Sequence, residues 1–122
     1  MPLVDIQIVS ASRAAFERVS AQTLADGIGR ALGSAPGRTW VRLQWLPARA
    51  YAENEAAAPS AFGPVFVTLG LAEPPPMPER ATPARVLTEA IAGLVPVAVD
   101  LVHLSYAPPL TGRQAFGGRL VT

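Results

Sequence analysis

The 122-residue chain contains no cysteine, no lysine and a single histidine. Without cysteine there is no disulfide framework, no nucleophilic thiolate and no thiolate zinc site. With His103 as the only imidazole, a metal centre built on several histidines is excluded. All ten basic residues are arginine: Arg13, Arg18, Arg30, Arg38, Arg42, Arg49, Arg80, Arg85, Arg113 and Arg119. They are scattered rather than clustered, which argues against a nucleic-acid-binding stripe. No run approaches the roughly 18 consecutive apolar residues of a membrane span. Asp5 and Gln7 interrupt the N-terminal apolar run, so it does not read as a signal peptide. These absences lead to the expectation of a cytoplasmic protein with no membrane and no nucleic-acid partner, although a lack of cysteine by itself fits any compartment.

Half of the residues are hydrophobic, and the net charge is +1. That suits one domain over 1–122 with a real core. The thirteen prolines gather in PPPMP (74–78), in APP (107–109) and singly at Pro36, Pro47, Pro59 and Pro64. Periodic apolar segments lie between them, so they punctuate loops rather than signal disorder.

At the N-terminus, Leu3, Asp5, Gln7 and Val9 alternate with Val4, Ile6 and Ile8, which predicts a strand over 3–9. Pro2 stands directly before it. Proline is tolerated at the first position of a strand. A chemical reading also exists: once Met1 is removed, Pro2 presents a free secondary amine at the end of a rigid element.

Ser12 is positioned to cap a helix over about 13–32, with Ala15, Phe16, Val19, Leu24, Ile28 and Leu32 as its stripe. GSAPGR (33–38) ends it. TWVRLQWL (39–46) reads as a strand with Val41, Leu43 and Trp45 on one face and Trp40, Arg42 and Gln44 on the other. Residues 48–61 form a loop. The order then repeats: a strand over 64–72, a connector, a helix near 79–94 with Val86, Leu87, Ala90, Ile91 and Leu94 on one stripe, a strand over 99–107 and a turn-rich tail.

The expected fold class is therefore α+β. Two consecutive β-α-β units, about 2–62 and 63–122, form a four-stranded mixed sheet with two helices on one face. Each crossover makes its own two strands parallel. Phe66, Leu101 and Leu3 fall on the uncovered face, which predicts burial in an oligomer.

Several motifs carry little chemistry. GIGRALG (27–33) mimics a dinucleotide fingerprint, but that motif must follow a strand and open a helix, and here it closes one. His103 lies mid-strand and reads as structural. Glu53 and Glu55, in an alanine-rich loop, read as solvated. No cofactor and no metal is called for.

Pro2 with PLVDIQIVS, Arg42 in WVRLQW, Arg80 before the second helix and the tail YAPPLTGRQAFGGRL together resemble the tautomerase superfamily. That family includes 4-oxalocrotonate tautomerase, 5-(carboxymethyl)-2-hydroxymuconate isomerase and macrophage migration inhibitory factor. The likeness spans the whole chain as architecture and is specific at the two termini. It implies a tautomerase/MIF-like fold, a homotrimer, a small carboxylate-bearing substrate and no cofactor. It also implies that Met1 is removed and that Pro2 is the catalytic amine, a general base on a 2-hydroxy-dienoate or 2-keto acid. A desolvated ammonium near arginines loses its proton more readily, so a neutral fraction appears near pH 7.

By the same resemblance, Arg42 and Arg80 bind the substrate carboxylate, and Phe116 supplies an apolar wall to the proline. Arg13 lies one position away from an arginine of the short members. Tyr106 can donate a hydrogen bond to a substrate carbonyl, or serve only in packing between subunits. Arg42 equally suits a solvated or inter-subunit ion pair. Two other activities stay open on the same fold. One is a dehalogenase/hydratase or decarboxylase that uses protonated Pro2 as an acid and a carboxylate to activate water. The other is a trimeric, non-catalytic binding protein.

Overall fold

The alternation that opens the chain becomes β1 (Leu3–Ser10), whose Val4, Ile6 and Ile8 are almost wholly buried while Leu3, Asp5 and Gln7 are half-exposed. The computed structural model describes residues 2–58 and 60–122. Met1, whose removal the resemblance implies, and Pro59 of the loop lie outside them. The remaining elements are α1 (Arg13–Glu17), α2 (Ala21–Leu32), β2 (Trp40–Pro47), β3 (Phe62–Gly70), α3 (Ala81–Leu94), β4 (Val102–Tyr106), β5 (Ala115–Phe116) and β6 (Arg119–Leu120).

The four long strands form one mixed sheet in the order β2-β1-β3-β4. β1 is parallel to β2, β3 is parallel to β4, and the two central strands run antiparallel. Helices α2 and α3 cover one face. Leu24, Ile28, Leu87, Ile91, Ala92 and Val95 meet Val4, Ile6, Ile8, Val65, Val67 and Leu69 there as one apolar core. Among the described residues, no helix is long and apolar enough to cross a membrane.

The predicted helix over 13–32 is two helices. Ser12 caps the first, accepting from the Ala15 amide at 3.1 Å. At Ser20 the backbone becomes extended, and the Ser20 hydroxyl accepts from the Thr23 amide at 3.1 Å, so a second helix begins there. A serine inside an amphipathic stripe can thus restart a helix, because its oxygen satisfies an amide that the new first turn leaves unpaired. Gly33 closes α2 in the left-handed conformation at φ 66°, with the Ser34 amide reaching back to Gly29.

Other boundaries shift. β3 starts at Phe62 rather than Pro64 and ends at Gly70 rather than Ala72. Helix α3 starts at Ala81 rather than 79, because Met77–Glu79 form a 3₁₀ turn ahead of it. Val99–Leu101 is likewise a 3₁₀ turn, so β4 begins at Val102 and ends at Tyr106. Leu101 consequently leaves the uncovered sheet face and packs near Gly63. The loop over 48–61 opens with a 3₁₀ turn at Ala48–Ala50. Val86 leaves the buried stripe of α3, being 38% exposed, and Ala92 takes a place in it. The uncovered face is therefore largely polar: Asp5, Gln7, Arg42, Gln44, Thr68, His103 and Ser105 accompany Leu3, Trp40 and Phe66.

Gly70 ends β3 where the backbone of β1 and the tail converge. A Cβ there would lie 3.2 Å from both the Leu3 carbonyl oxygen and Leu110 Cδ2. Gly70→Ala is expected to lower stability by on the order of 1 kcal/mol in a denaturant titration, since the Leu3 side of the contact is backbone and cannot swing away. An unchanged midpoint would show that the tail relaxes freely.

Candidate active site

One end of the sheet collects most of the chemically promising residues. There β1 begins, β2 begins, and β3 and β4 end. Pro2 sits at this end, half-buried, and its carbonyl accepts from the Trp40 amide at 3.0 Å. This bond extends the β1–β2 ladder past Leu3, which pairs with Trp40 on one side and Gly70 on the other. The residue that carries the candidate amine leads into a central strand and is thereby tied to the edge strand β2.

An aromatic pair lies at the same end of the sheet, where Trp40 opens β2. The Trp40 and Phe116 rings meet edge to face at 4.9 Å and 80°, a favoured geometry for aromatic quadrupoles. Phe116 reaches this position because Gly117 and Gly118, at φ 58° and 84°, turn β5 back onto β6 in two residues. Two successive positive φ values suit a type I′ hairpin, which glycine adopts without strain. The tail is anchored upstream: the Leu110 and Thr111 amides donate to the Leu71 and Ala72 carbonyls at 2.9 and 3.2 Å. Trp40 escaped the sequence reading as a site residue. Its position opening β2, opposite Leu3, was the available signal.

Tyr106 and Arg80 lie further across the same end, on the helix-covered side of the sheet. Tyr106 ends β4 opposite Leu69, which in turn pairs with Val4. Two strand spacings of about 4.8 Å separate it from β1. The Tyr106 hydroxyl donates to the Arg80 carbonyl at 3.0 Å, and the Arg80 guanidinium lies over the Tyr106 ring at 5.7 Å. Arg80 Nε donates to the Pro75 carbonyl at 2.7 Å. The prolines of the connector have no N–H to compete for that carbonyl.

Arg42 is elsewhere. It shares the uncovered face with Trp40, two residues along β2, and forks onto Asp5 through Nε at 2.6 Å and Nη2 at 2.9 Å. The Asp5 hydrogen bond, and then the Asp5 charge, raise the pKa of Arg42 above its ordinary value. The guanidinium therefore stays charged. The side chains are 67% and 46% exposed, so the pair adds little to stability. Arg42 and Arg80 lie on opposite sides of the sheet and are not brought together. A hollow of about 640 Å³ on the uncovered face is lined by Asp5, Gln7, Arg42, Gln44, Phe66 and Thr68 and does not reach Pro2.

Arg13 pairs with Glu17 at 2.9 Å and lies over the Trp45 ring at 5.4 Å, away from this end of the sheet. His103 is exposed on the open face, its ring 5.5 Å from Phe66. Glu53 accepts from the Tyr51 hydroxyl at 2.7 Å, which raises the Tyr51 pKa. Among the described residues, no group of three His, Asp or Glu side chains is placed to hold a metal ion.

No family model matches the sequence, and no curated protein matches it. Solved structures do match in three dimensions. The F6 fused 4-OT, a wild-type asymmetric trimer, superposes with a TM-score of 0.73 at 15% identity, over 97% of this chain and 94% of that one. Macrophage migration inhibitory factor from Oncomelania hupensis gives 0.70 at 14%, over 99% of this chain and 82% of that one. FG41 malonate semialdehyde decarboxylase, inhibited by 3-bromopropiolate, gives 0.65 at 16%, over 94% and 90%. At such identities the likeness is one of fold. The chain has the four-stranded mixed-sheet fold of the tautomerase superfamily.

Proposed function

We propose that this chain is a cofactor-free tautomerase in which Pro2, exposed by removal of Met1, acts as general base on a 2-hydroxy-dienoate or 2-keto acid. One observation carries the reading. Pro2 directly precedes a central strand of this fold, its carbonyl tied by the Trp40 amide, at the end of the sheet where β2 begins and β4 ends.

The neutral secondary amine takes a proton from the carbon alpha to the substrate carbonyl and becomes an ammonium. The electron pair moves onto the carbonyl oxygen, giving an enolate. The same proton then returns to oxygen or to a carbon further along the conjugated system, restoring the amine. Arg80 is the better carboxylate receiver within one chain: its Nη groups are free of carboxylate partners among the described residues, whereas Arg42 is already forked onto Asp5. A guanidinium fork matches a carboxylate and favours the negative charge that develops on the substrate. Phe116 and Trp40 supply the apolar wall.

The hydratase or decarboxylase alternative needs a carboxylate to activate water. Asp5 is committed to Arg42, and Glu73 and Glu79 are exposed, which supports tautomerisation over it. N-terminal mass spectrometry with a phenylenolpyruvate assay tests the function. A chain that begins at Pro2 yet neither turns over nor binds a 2-keto acid would favour the binding-protein alternative.

We also propose a homotrimer. The described chain leaves a whole sheet face uncovered, and the fused 4-OT of the same fold is a trimer. Sedimentation equilibrium at micromolar concentration is expected to give three times the monomer mass. A stable monomer would remove this reading.

A further inference from the structure

We infer that Tyr106 is a positioning residue, holding the Arg80 guanidinium in place as a ready-made carboxylate receiver rather than donating to the substrate itself. The inference rests on the proposal that Arg80 takes the carboxylate. Its own support is the way the two side chains are joined.

A phenol has one proton to give. In Tyr106 that proton is directed at the Arg80 carbonyl, 3.0 Å away. The same carbonyl accepts the first helical bond of α3, from the Ala84 amide at 3.2 Å. Tyr106 thus fixes the backbone from which the Arg80 side chain departs. Its ring then supports the guanidinium from below at 5.7 Å. From another direction the Pro75 carbonyl takes the Nε hydrogen at 2.7 Å. The strap that offers this carbonyl is EPPPMPE, in which consecutive prolines restrict φ and limit recoil.

Two constraints on the side chain, and a third on the backbone it leaves from, remove most of its rotamer freedom before any ligand arrives. That lost freedom would otherwise be charged against binding. The constraints also dictate orientation. With Nε occupied, an incoming carboxylate must use the two Nη groups end-on. Arg13, Arg42 and Arg85 each have a carboxylate partner, whereas among the described residues Arg80 has none and is the arginine held by a carbonyl and an aromatic face. A charge that is oriented but unneutralised suits recognition of a small mono- or dicarboxylate.

The test uses Tyr106→Phe, which keeps the ring and removes the hydroxyl, beside Tyr106→Leu, Arg80→Ala and the Tyr106→Phe/Arg80→Ala double variant. Binding of phenylpyruvate is read by calorimetry and turnover of phenylenolpyruvate by absorbance. Tyr106→Phe is expected to weaken binding and raise KM by about threefold to tenfold, the scale of one neutral hydrogen bond. Its kcat should stay within about twofold, because no group at the reacting atoms is lost. Tyr106→Leu should weaken binding further, since the cation–π support goes too. On the Arg80→Ala background, Tyr106→Phe should have no further effect, the coupling expected when one residue acts through another.

A fall of tenfold or more in kcat for Tyr106→Phe, with binding intact, would make Tyr106 a donor to the substrate and overturn the inference. Additive losses in the double variant would do the same. Should Arg80→Ala itself leave phenylpyruvate binding untouched, the carboxylate assignment fails, and the inference with it. That result is distinguishable because it appears in the single Arg80 variant. If Tyr106→Leu does not fold, Tyr106→Phe and the double variant decide the matter.

Discussion

Protein that keeps Met1, or carries any residue ahead of Pro2, is expected to lose tautomerisation of phenylenolpyruvate altogether. Joined to a preceding residue, the Pro2 nitrogen becomes an amide with no available lone pair, and the carboxylates of the connector that follows β3, Glu73 and Glu79, are exposed. Pro2→Ala is the finer variant. It leaves a primary amine that is more mobile and differently basic, and activity should fall by about 10²–10⁴-fold, the range of general acid–base catalysis. Stability should change little, because Pro2 joins the sheet through its carbonyl, which alanine also has. The rate of the processed protein should rise with pH as the ammonium loses its proton, then level off. A steady-state pH profile checks the direction. If Met-retaining and processed forms turned over equally fast, the amine would not be the base, and Pro2 would be no more than the residue that begins a strand.

Arg80→Ala is expected to weaken binding of a 2-keto acid by about 1.5–3 kcal/mol, the scale of a hydrogen bond to a charged group. Arg80→Lys should recover only part of this, since an ammonium cannot present two parallel donors. It also loses the Nε–H that the Pro75 carbonyl accepts. Arg42→Ala is the necessary companion. Its fork onto Asp5 predicts a smaller effect on binding in an isolated chain. Wild-type kinetics in both alanine variants would end the carboxylate assignment for either arginine. A larger effect at Arg42 would transfer the role to the uncovered face.

The strands were readable where one face is buried and the other is not. In β1 and β2 the period of two is nearly clean, and register is the only freedom left. Breaks in the pattern were harder. Phe16, Val19 and Leu24 keep an apolar stripe running across Ser20, so periodicity runs straight through a helix end that depends on one hydroxyl. Val99 and Leu101 look like strand residues but are taken by a 3₁₀ turn. At the site, Pro2 and Phe116 stood out because each sits in a distinctive terminal motif. The Asp5–Arg42 pair did not, because it depends on parallel register between residues 37 apart. The Tyr106–Arg80 bond spans a separation of 26 and depends on where the proline-rich strap delivers the start of α3. No local pattern contains that information.

The bond between the Trp40 amide and the Pro2 carbonyl is the outermost rung of its ladder. Outer rungs fray at a free-energy cost far below that of global unfolding. Each time this one opens, the nitrogen of Pro2 loses its fixed bearing, so the activity proposed for Pro2 and local melting draw on the same equilibrium. The Trp40 amide is a natural gauge of it. In hydrogen–deuterium exchange it should lose protection before the amides deeper in the sheet, and a substitution that hastens its exchange without lowering the melting temperature should slow turnover in proportion to the time the rung stands open.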